Sequence, residues 1–383
     1  MTHSIEDLIP AYIRGLPAYV PGKPVEEVER ELKIRAVKLA SNENPLGPSP
    51  KAMEAVLRAL PGANRYPDGG SKQLRHALAA LHNVSPEDIF IGLGSSEIID
   101  LASRTLLRPG LQGVTSQGTY APFSVAIRAS GAALVQTPLR DYAYELGGIA
   151  EAITPETRVV YLANPNNPTG TAFGAAELEQ FLARVPGDVV VVLDEAYIHY
   201  AGRPDMPRSE DVFRQHSNLL ILRTYSKVYG LAGLRLGYGI GQEAIVRAMN
   251  KLRTPFNVSS VAQAAALAAL DDTEHVRRSV ETNRAGRAQL TAGLEKLGLR
   301  PVPSETNFLF LELGPVAEAF CGELLRNGII VRPLGWMGLP EAVRVSVGSP
   351  EENDVFLAAM ARVWPPRAPA GSGPGPKKEL ARP

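Results

Sequence analysis

Three stretches of the chain carry unbroken apolar runs: Arg158–Ala163, Asp188–Leu193 and Leu219–Leu222. Alternating apolar and polar residues would mark a sheet with one wet face. Continuous runs mark strands buried on both faces of a parallel sheet. Helical periods lie between them, the clearest from Ala175 to Arg184, with Leu178, Phe181 and Leu182 on one face. This βαβ alternation predicts an α/β fold built on a doubly wound, mostly parallel sheet. After about Asp272 the pattern changes. A long helix is predicted from Thr273 to Leu297, stopped by Gly298, and short strands follow at Asn307–Leu313, Ile329–Arg332 and Val343–Val347. These predict a second, smaller α+β domain. The expected division is a large domain over residues 48–272, an N-terminal arm (1–47) joined with 273–364 in the small domain, and a disordered tail over 365–383. That tail reads PPRAPAGSGPGPKKELARP and has no hydrophobic period.

A length of 383 residues suits two or three domains at roughly 150 residues each. Forty basic and forty acidic residues cancel, leaving no overall field to draw nucleic acid or an anionic membrane. The tail is net +3, so residues 1–364 sum to −3. The single cysteine, Cys321, excludes an intramolecular disulfide and a thiolate zinc cage. Six histidines stand apart, at 3, 76, 82, 199, 216 and 275, without HExxH spacing. No apolar run nears the roughly 18 residues of a membrane span. The first residues lack the basic and apolar regions of a secretory signal, so the cytosol is the expected location.

In open α/β sheets, ligands bind beyond the carboxyl ends of the strands. The first run leads into Asn164-Pro-Asn-Asn-Pro-Thr-Gly170, the second into Asp194-Glu195-Ala-Tyr197, and the third into Arg223-Thr-Tyr-Ser-Lys227 with Arg235 beyond. Each has an ordinary explanation alone: turn chemistry, a helix cap, a solvated lysine, a surface ion pair. Together they supply what pyridoxal phosphate requires. Its aldehyde takes a lysine, its pyridine nitrogen a carboxylate, its phenolic oxygen hydrogen-bond donors, and its phosphate a helix start plus a cation. Upstream, Phe90-Ile-Gly-Leu-Gly94-Ser95-Ser96-Glu97 reads as strand, turn and helix start. It is neither a Walker A loop nor a full dinucleotide fingerprint, and a plain helix cap at Ser95 and Ser96 stays open.

Asn167-Pro-Thr-Gly170, Asp194-Glu-Ala-Tyr197 and Ser226-Lys227, with Arg235 eight residues on, resemble the fold-type-I pyridoxal-phosphate aminotransferases of class I and II. Further markers are Ala18-Tyr-Val-Pro-Gly22, Leu39 to Pro50 (LASNENPLGPSP), Arg65-Tyr-Pro-Asp-Gly69, Leu234-Arg-Leu-Gly237, Val331-Arg332 and Val343 to Gly348. These resemble the histidinol-phosphate aminotransferase branch, in order, over about residues 8 to 364. The resemblance implies that Lys227 forms the covalent link to the cofactor and then serves as the proton-transferring base. It implies that Asp194 pairs with the pyridine nitrogen, that Asn167 and Tyr197 hold the phenolic oxygen, and that Tyr120 stacks on the ring. Ser95, Ser96, Thr224, Ser226 and Arg235 are implied for the phosphate, with Glu97 in the same turn. Tyr66 is implied to reach a neighbouring subunit's cofactor, hence a homodimer. Arg344 is implied for a substrate carboxylate and Arg332 for a substrate phosphate, with Tyr19 and Asn44 as further substrate-binding candidates. Two departures are visible: Gly118 stands where proline usually precedes Thr-Tyr, and Gly-Ser-Ser-Glu replaces a turn that usually carries aspartate.

The activity implied is transfer of an amino group between L-histidinol phosphate and 2-oxoglutarate, yielding imidazole acetol phosphate and L-glutamate, in histidine biosynthesis. Histidinol phosphate has no carboxylate and glutamate has two, and guanidinium groups suit phosphate and carboxylate alike. An aromatic amino-acid aminotransferase and a threonine-phosphate decarboxylase of the same branch are the alternatives, with Phe256 and Asn257 as candidates for the side-chain pocket. A ligand-sensing module would carry a DNA-binding domain. The roughly 40 residues before Asn-Glu-Asn-Pro show no helix-turn-helix or basic stripe.

Overall fold

The computed structural model describes residues 5–364 apart from residue 17 and residues 19–21. Strands are numbered in chain order: β1 (Val37–Lys38), β2 (Ile89–Gly92), β3 (Gln112–Ser116), β4 (Ala133–Thr137), β5 (Thr157–Ala163), β6 (Val190–Asp194), β7 (Leu219–Thr224), β8 (Gly237–Gly241), β9 (Phe308–Glu312), β10 (Ile329–Ile330), β11 (Arg332–Pro333) and β12 (Ala342–Ser346). The helices used below are α1 (Gly94–Leu106), α2 (Ala121–Ala129), α3 (Ala175–Leu182), α4 (Thr273–Lys296), α5 (Ala317–Arg326) and α6 (Pro350–Val363).

The central sheet has seven strands in the order β2-β8-β7-β6-β5-β3-β4. Only β8 runs against its neighbours. The continuous apolar runs are explained by the two cores they feed. Val160, Leu162, Val191, Leu193, Leu219 and Ile221 face one core, and Val159, Tyr161, Val192, Leu220 and Leu222 face the other. Successive side chains point to opposite faces, so a strand covered on both sides has no polar position to spare.

A separate core joins β9, β12, α4, α5 and α6 through residues such as Leu309, Val345, Leu290, Phe320 and Phe356. Leu39, from the N-terminal segment, packs into it. Helix α4 is capped by Asp272, and Gly298 beyond its end takes φ +78, the left-handed conformation that a stop glycine adopts without strain.

One predicted strand is divided. The run Ile329–Arg332 splits into β10, which pairs in parallel with β1, and β11, which pairs antiparallel with β12. Hydrophobicity does not reveal the split, because both halves are strand-like and only their partners differ. The split has a consequence for the site, since it sets Arg332 directly opposite Arg344.

Candidate active site

The carboxyl ends of β2, β5, β6 and β7 meet at one edge of the sheet. Strand β8 is reversed, so its first residue, Gly237, arrives at that same edge, paired with Gly92 on one side and Thr224 on the other. A cavity of about 1030 Å³ opens there. It is lined by Lys227, Asp194, Tyr197, Asn167, Tyr120 and Arg235, by Ser95, Ser96, Thr224 and Ser226, and at its outer wall by Arg332 and Arg344.

Asp194 ends β6 and is 4% exposed. Its Oδ1 accepts from the Ala196 N–H at 3.0 Å. Burial pushes its carboxyl up to about 7, with Glu195 adding to the rise. A carboxylate desolvated this far calls for a cationic partner. Lys227 lies across the cavity, and its Nζ donates to the carbonyls of Ser41 (3.4 Å) and Asn42 (3.3 Å). Burial, and then the charge of Arg344, bring its amine down to about 8. A substantial share of the amine is therefore neutral and nucleophilic near physiological pH.

The Asn-Pro loop after β5 divides its asparagines by task. Asn164 exchanges two hydrogen bonds with Phe173, and Asn166 donates to Gly118 and Thr169 and accepts from Thr119. These two fasten the loop. Asn167 Oδ1 accepts from Arg344 Nη1 at 2.5 Å, which leaves its Nδ2–H₂ as the donor for the cavity. Tyr197 is buried, and its phenol accepts from Asn42 Nδ2 at 2.9 Å.

The anion cradle is built by close backbone approach. A Cβ on Gly237 would stand 2.7 Å from both Gly94 C and Ser95 N, and one on Gly94 would stand 3.1 Å from Arg235 Nη2. Real Cβ atoms essentially never approach backbone to 2.7 Å, so only glycine at 237 lets β8 lie against the start of α1, and φ +73 at Gly94 favours glycine there as well. The start of that thirteen-residue helix, with its free N–H groups, and Ser95, Ser96, Thr224, Ser226 and Arg235 all line the same cavity. Tyr120 closes the cavity's side. Its hydroxyl lies 3.0 Å from Ser96 Oγ, and burial pushes it up to about 12, so it stays a neutral phenol. Gly118 takes φ +59, which proline cannot adopt, so the departure at this position is built into the loop's path.

Arg332 and Arg344 are Cα partners across β11 and β12. Like charges directly opposite each other repel unless an anion comes between them. Arg344 also donates to the Ala40 carbonyl, and Arg332 sits 4.8 Å from the ring centre of Trp336, a cation–π contact at the cavity mouth.

Four of the expected residues lie elsewhere or outside the described part. Glu97 turns back under the start of α1, accepting from Leu93 N–H and Asn257 Nδ2, and does not line the cavity. Asn44 is buried off the cavity wall, where its Nδ2 donates to the Val228 carbonyl and to Ser279. Tyr66 projects outward, 83% exposed, stacked on Phe256. Tyr19 lies outside the described residues. Conversely, Asn42 and Trp336 line the cavity with no role assigned to them from the sequence: Asn42 sits inside the Leu39–Pro50 marker, where Asn44 is the candidate, and Trp336 lies in no motif.

The family model "Aminotransferase class I and II" matches residues 34–360. The chain is 48% identical over 358 residues to histidinol-phosphate aminotransferase 2 of Pseudomonas aeruginosa, covering 92% of this chain and 96% of that one. It is 46% identical to histidinol-phosphate aminotransferase 2 of Methylococcus capsulatus, covering 95% of this chain and 100% of the relative. Among solved structures, histidinol-phosphate aminotransferase of Sinorhizobium meliloti in complex with pyridoxal-5'-phosphate superposes with a TM-score of 0.86 at 31% identity, covering 92% of this chain and 96% of that one. The buried acid, the low-pKa lysine and the glycine-built anion cradle thus sit on a chain that belongs to the class I and II aminotransferases.

Proposed function

We propose that the protein is a pyridoxal-phosphate-dependent transaminase that passes an amino group between L-histidinol phosphate and 2-oxoglutarate, giving imidazole acetol phosphate and L-glutamate in histidine biosynthesis. The carrying observation is the 48% identity to the Pseudomonas aeruginosa protein over nearly the whole of both chains. The residues present fit the cofactor. A buried acid needing a cation, an amine near neutrality, two inward donors and an anion cradle match its ring nitrogen, aldehyde, phenolic oxygen and phosphate. When bound, pyridoxal phosphate supplies an electron-withdrawing ring on which the substrate's amino group is carried.

The chain's own residues do the rest. Lys227 Nζ holds the group and, when free, takes and returns the proton at the substrate carbon. Asp194 would keep the ring nitrogen protonated. Asn167 Nδ2–H and the Tyr197 O–H would donate to the phenolic oxygen, and Tyr120 would cover the ring. Ser95, Ser96, Thr224, Ser226 and Arg235 would anchor the phosphate. Arg344 and Arg332, set opposite each other, accept the carboxylates of glutamate or the phosphate of histidinol phosphate. Both half-reactions use one cavity, so the kinetics should be ping-pong.

A homodimer fits the exposed Tyr66–Phe256 stack, with ring centroids 4.7 Å apart, which lines nothing within its own chain's cavity. Two outward-facing aromatic rings suit a partner subunit. The cytosol is the proposed location, and among the described residues no helix is long and apolar enough to cross a membrane.

The test is a donor screen on purified protein with 2-oxoglutarate, comparing histidinol phosphate, phenylalanine and threonine phosphate. Histidinol phosphate should give the highest kcat/KM. A higher value for phenylalanine, or decarboxylation of threonine phosphate, would overturn the assignment. Sedimentation and mixed dimers of Tyr66→Phe with Lys227→Ala test the shared site. Hybrid activity that matches the average of the two parents would exclude it.

A further inference from the structure

Asn42 lies in the segment after β1, inside the Leu39–Pro50 marker but with no role assigned to it, and it hydrogen-bonds to both β12 and Tyr197. It is 1% exposed and adopts φ +54, the left-handed region that asparagine tolerates better than most residues. Its backbone N–H donates to Ser346 Oγ at 2.8 Å, and Ser346 Oγ–H donates back to Asn42 Oδ1 at 3.0 Å. This two-bond ring sets the orientation of the amide, with Oδ1 turned to β12 and Nδ2 turned the other way. Nδ2 then donates to the Tyr197 phenol at 2.9 Å. The Asn42 carbonyl accepts from Lys227 Nζ at 3.3 Å and from Asn307 Nδ2 at 3.0 Å.

The consequence follows from which atoms can donate. An amide N–H₂ has no lone pair to offer, so in this contact the phenol can only accept. The single proton of the Tyr197 hydroxyl is left to point elsewhere; among the described residues that hydroxyl has no acceptor, and Tyr197 lines the cavity. We propose that Asn42 is a positioning residue that fixes the direction of the Tyr197 proton, keeping it as a donor to an anionic oxygen in the cavity. Asn42 also ties that donor to the strand carrying Arg344, two residues before Ser346 and therefore on the same strand face. This rests on the transaminase reading above, in which that oxygen belongs to the cofactor.

Two substitutions separate positioning from scaffolding. Asn42→Gly removes the amide but keeps φ +54 accessible, and it retains the backbone contacts to Ser346, Asn307 and Lys227. Asn42→Asp is nearly isosteric but presents an acceptor, so the Tyr197 proton would turn to the new carboxylate and away from the cavity. The readout is the pH midpoint of the bound cofactor's visible absorbance, with cofactor Kd measured alongside. Loss of a donor to a phenolate makes that oxygen more basic, so the midpoint should rise. In Asn42→Gly the rise should be about one pH unit, the equivalent of one hydrogen bond, with kcat about tenfold lower and KM little changed. Asn42→Asp should shift the midpoint further.

A double-mutant cycle gives a second measurement. In a Tyr197→Phe background, Asn42→Gly should add no further shift, because no phenol proton remains to direct. An unchanged midpoint in Asn42→Gly with a lowered melting temperature would mean a purely structural residue. An additive shift in the Tyr197→Phe background would mean that Asn42 acts by another route. Either result overturns the inference while leaving the transaminase assignment standing. A wild-type protein with neither the absorbance band nor turnover would overturn both.

Discussion

Asp194→Asn offers a test in which stability and function move in opposite directions. Burial moves this carboxyl from its ordinary 3.8 to about 7 in the cofactor-free chain. At about 1.4 kcal/mol per pH unit, holding a carboxyl that far up is worth about 4 kcal/mol. Below pH 3.8 the folded and unfolded chains both hold the proton. Between there and about 7 the unfolded chain has lost it while the folded chain keeps it, so stability falls as pH rises through this window. Asparagine does not titrate and escapes the fall. The variant's cofactor-free form should therefore match wild type near pH 4 and exceed it by about 2–4 kcal/mol at pH 8. The assay is urea unfolding of cofactor-stripped protein at both pH values and one protein concentration, followed by the fluorescence of Trp336 and Trp364. The same variant, reloaded, should bind the cofactor more weakly and lose most of its turnover, because a neutral amide does not keep the ring nitrogen protonated. If the stability difference between variant and wild type is the same at both pH values, the acid is not desolvated and Asp194 is not poised to hold a cationic ring nitrogen.

Lys227→Ala should abolish the covalent absorbance band and nearly all turnover, and near-normal rates would exclude Lys227 as the base. Gly237→Ala forces a Cβ to within 2.7 Å of Gly94 and Ser95 backbone atoms. Overpacking of about 1–3 kcal/mol should weaken cofactor binding by about 5–150-fold, and an unchanged Kd by fluorescence titration would show that the cradle is not where the phosphate sits. Behind the site, Arg223 pairs with buried Glu195 at 2.8 Å and with Glu210 at 3.0 Å, and Glu210 also meets His82 at 2.8 Å. Glu195→Gln leaves that guanidinium half-compensated and should cost about 3 kcal/mol in urea melts, whereas a loss below about 1 kcal/mol would mean that water reaches the pair. Burial alone would raise the Glu210 carboxyl, but the His82 hydrogen bond and the charge of Arg223 outweigh it and hold the group at about 2. Its contribution is therefore present above about pH 4.5 and lost as pH falls toward 2, so Glu210→Gln should flatten the acid limb of the stability curve.

Much of the site could be read along the chain because its residues follow buried strands. Lys227, Asp194 and Asn167 each lie within a few residues of a continuous apolar run, and the rule that ligands sit at carboxyl strand ends collects them without coordinates. The left-handed Gly298 after α4 was legible for the same local reason. The N-terminal turn was not. Asn44 and Asn42 differ by two positions in one polar loop, and nothing in spacing separates them. Only the positive φ at Asn42 and the packing of β12, some three hundred residues away, turn one toward Tyr197 and the other toward Val228 and Ser279.

The amino-acid sequence by itself determined which strands are buried on both faces, and hence where the sheet's functional edge lies, because apolar periodicity and glycine and proline punctuation act within a few residues. The tertiary structure alone decided the pairing of Arg332 with Arg344, the approach of Gly237 to Gly94, and the direction of the Asn42 amide. Those features depend on which distant backbone comes within hydrogen-bonding or van der Waals reach, a property of strand register and packing that local pattern does not carry.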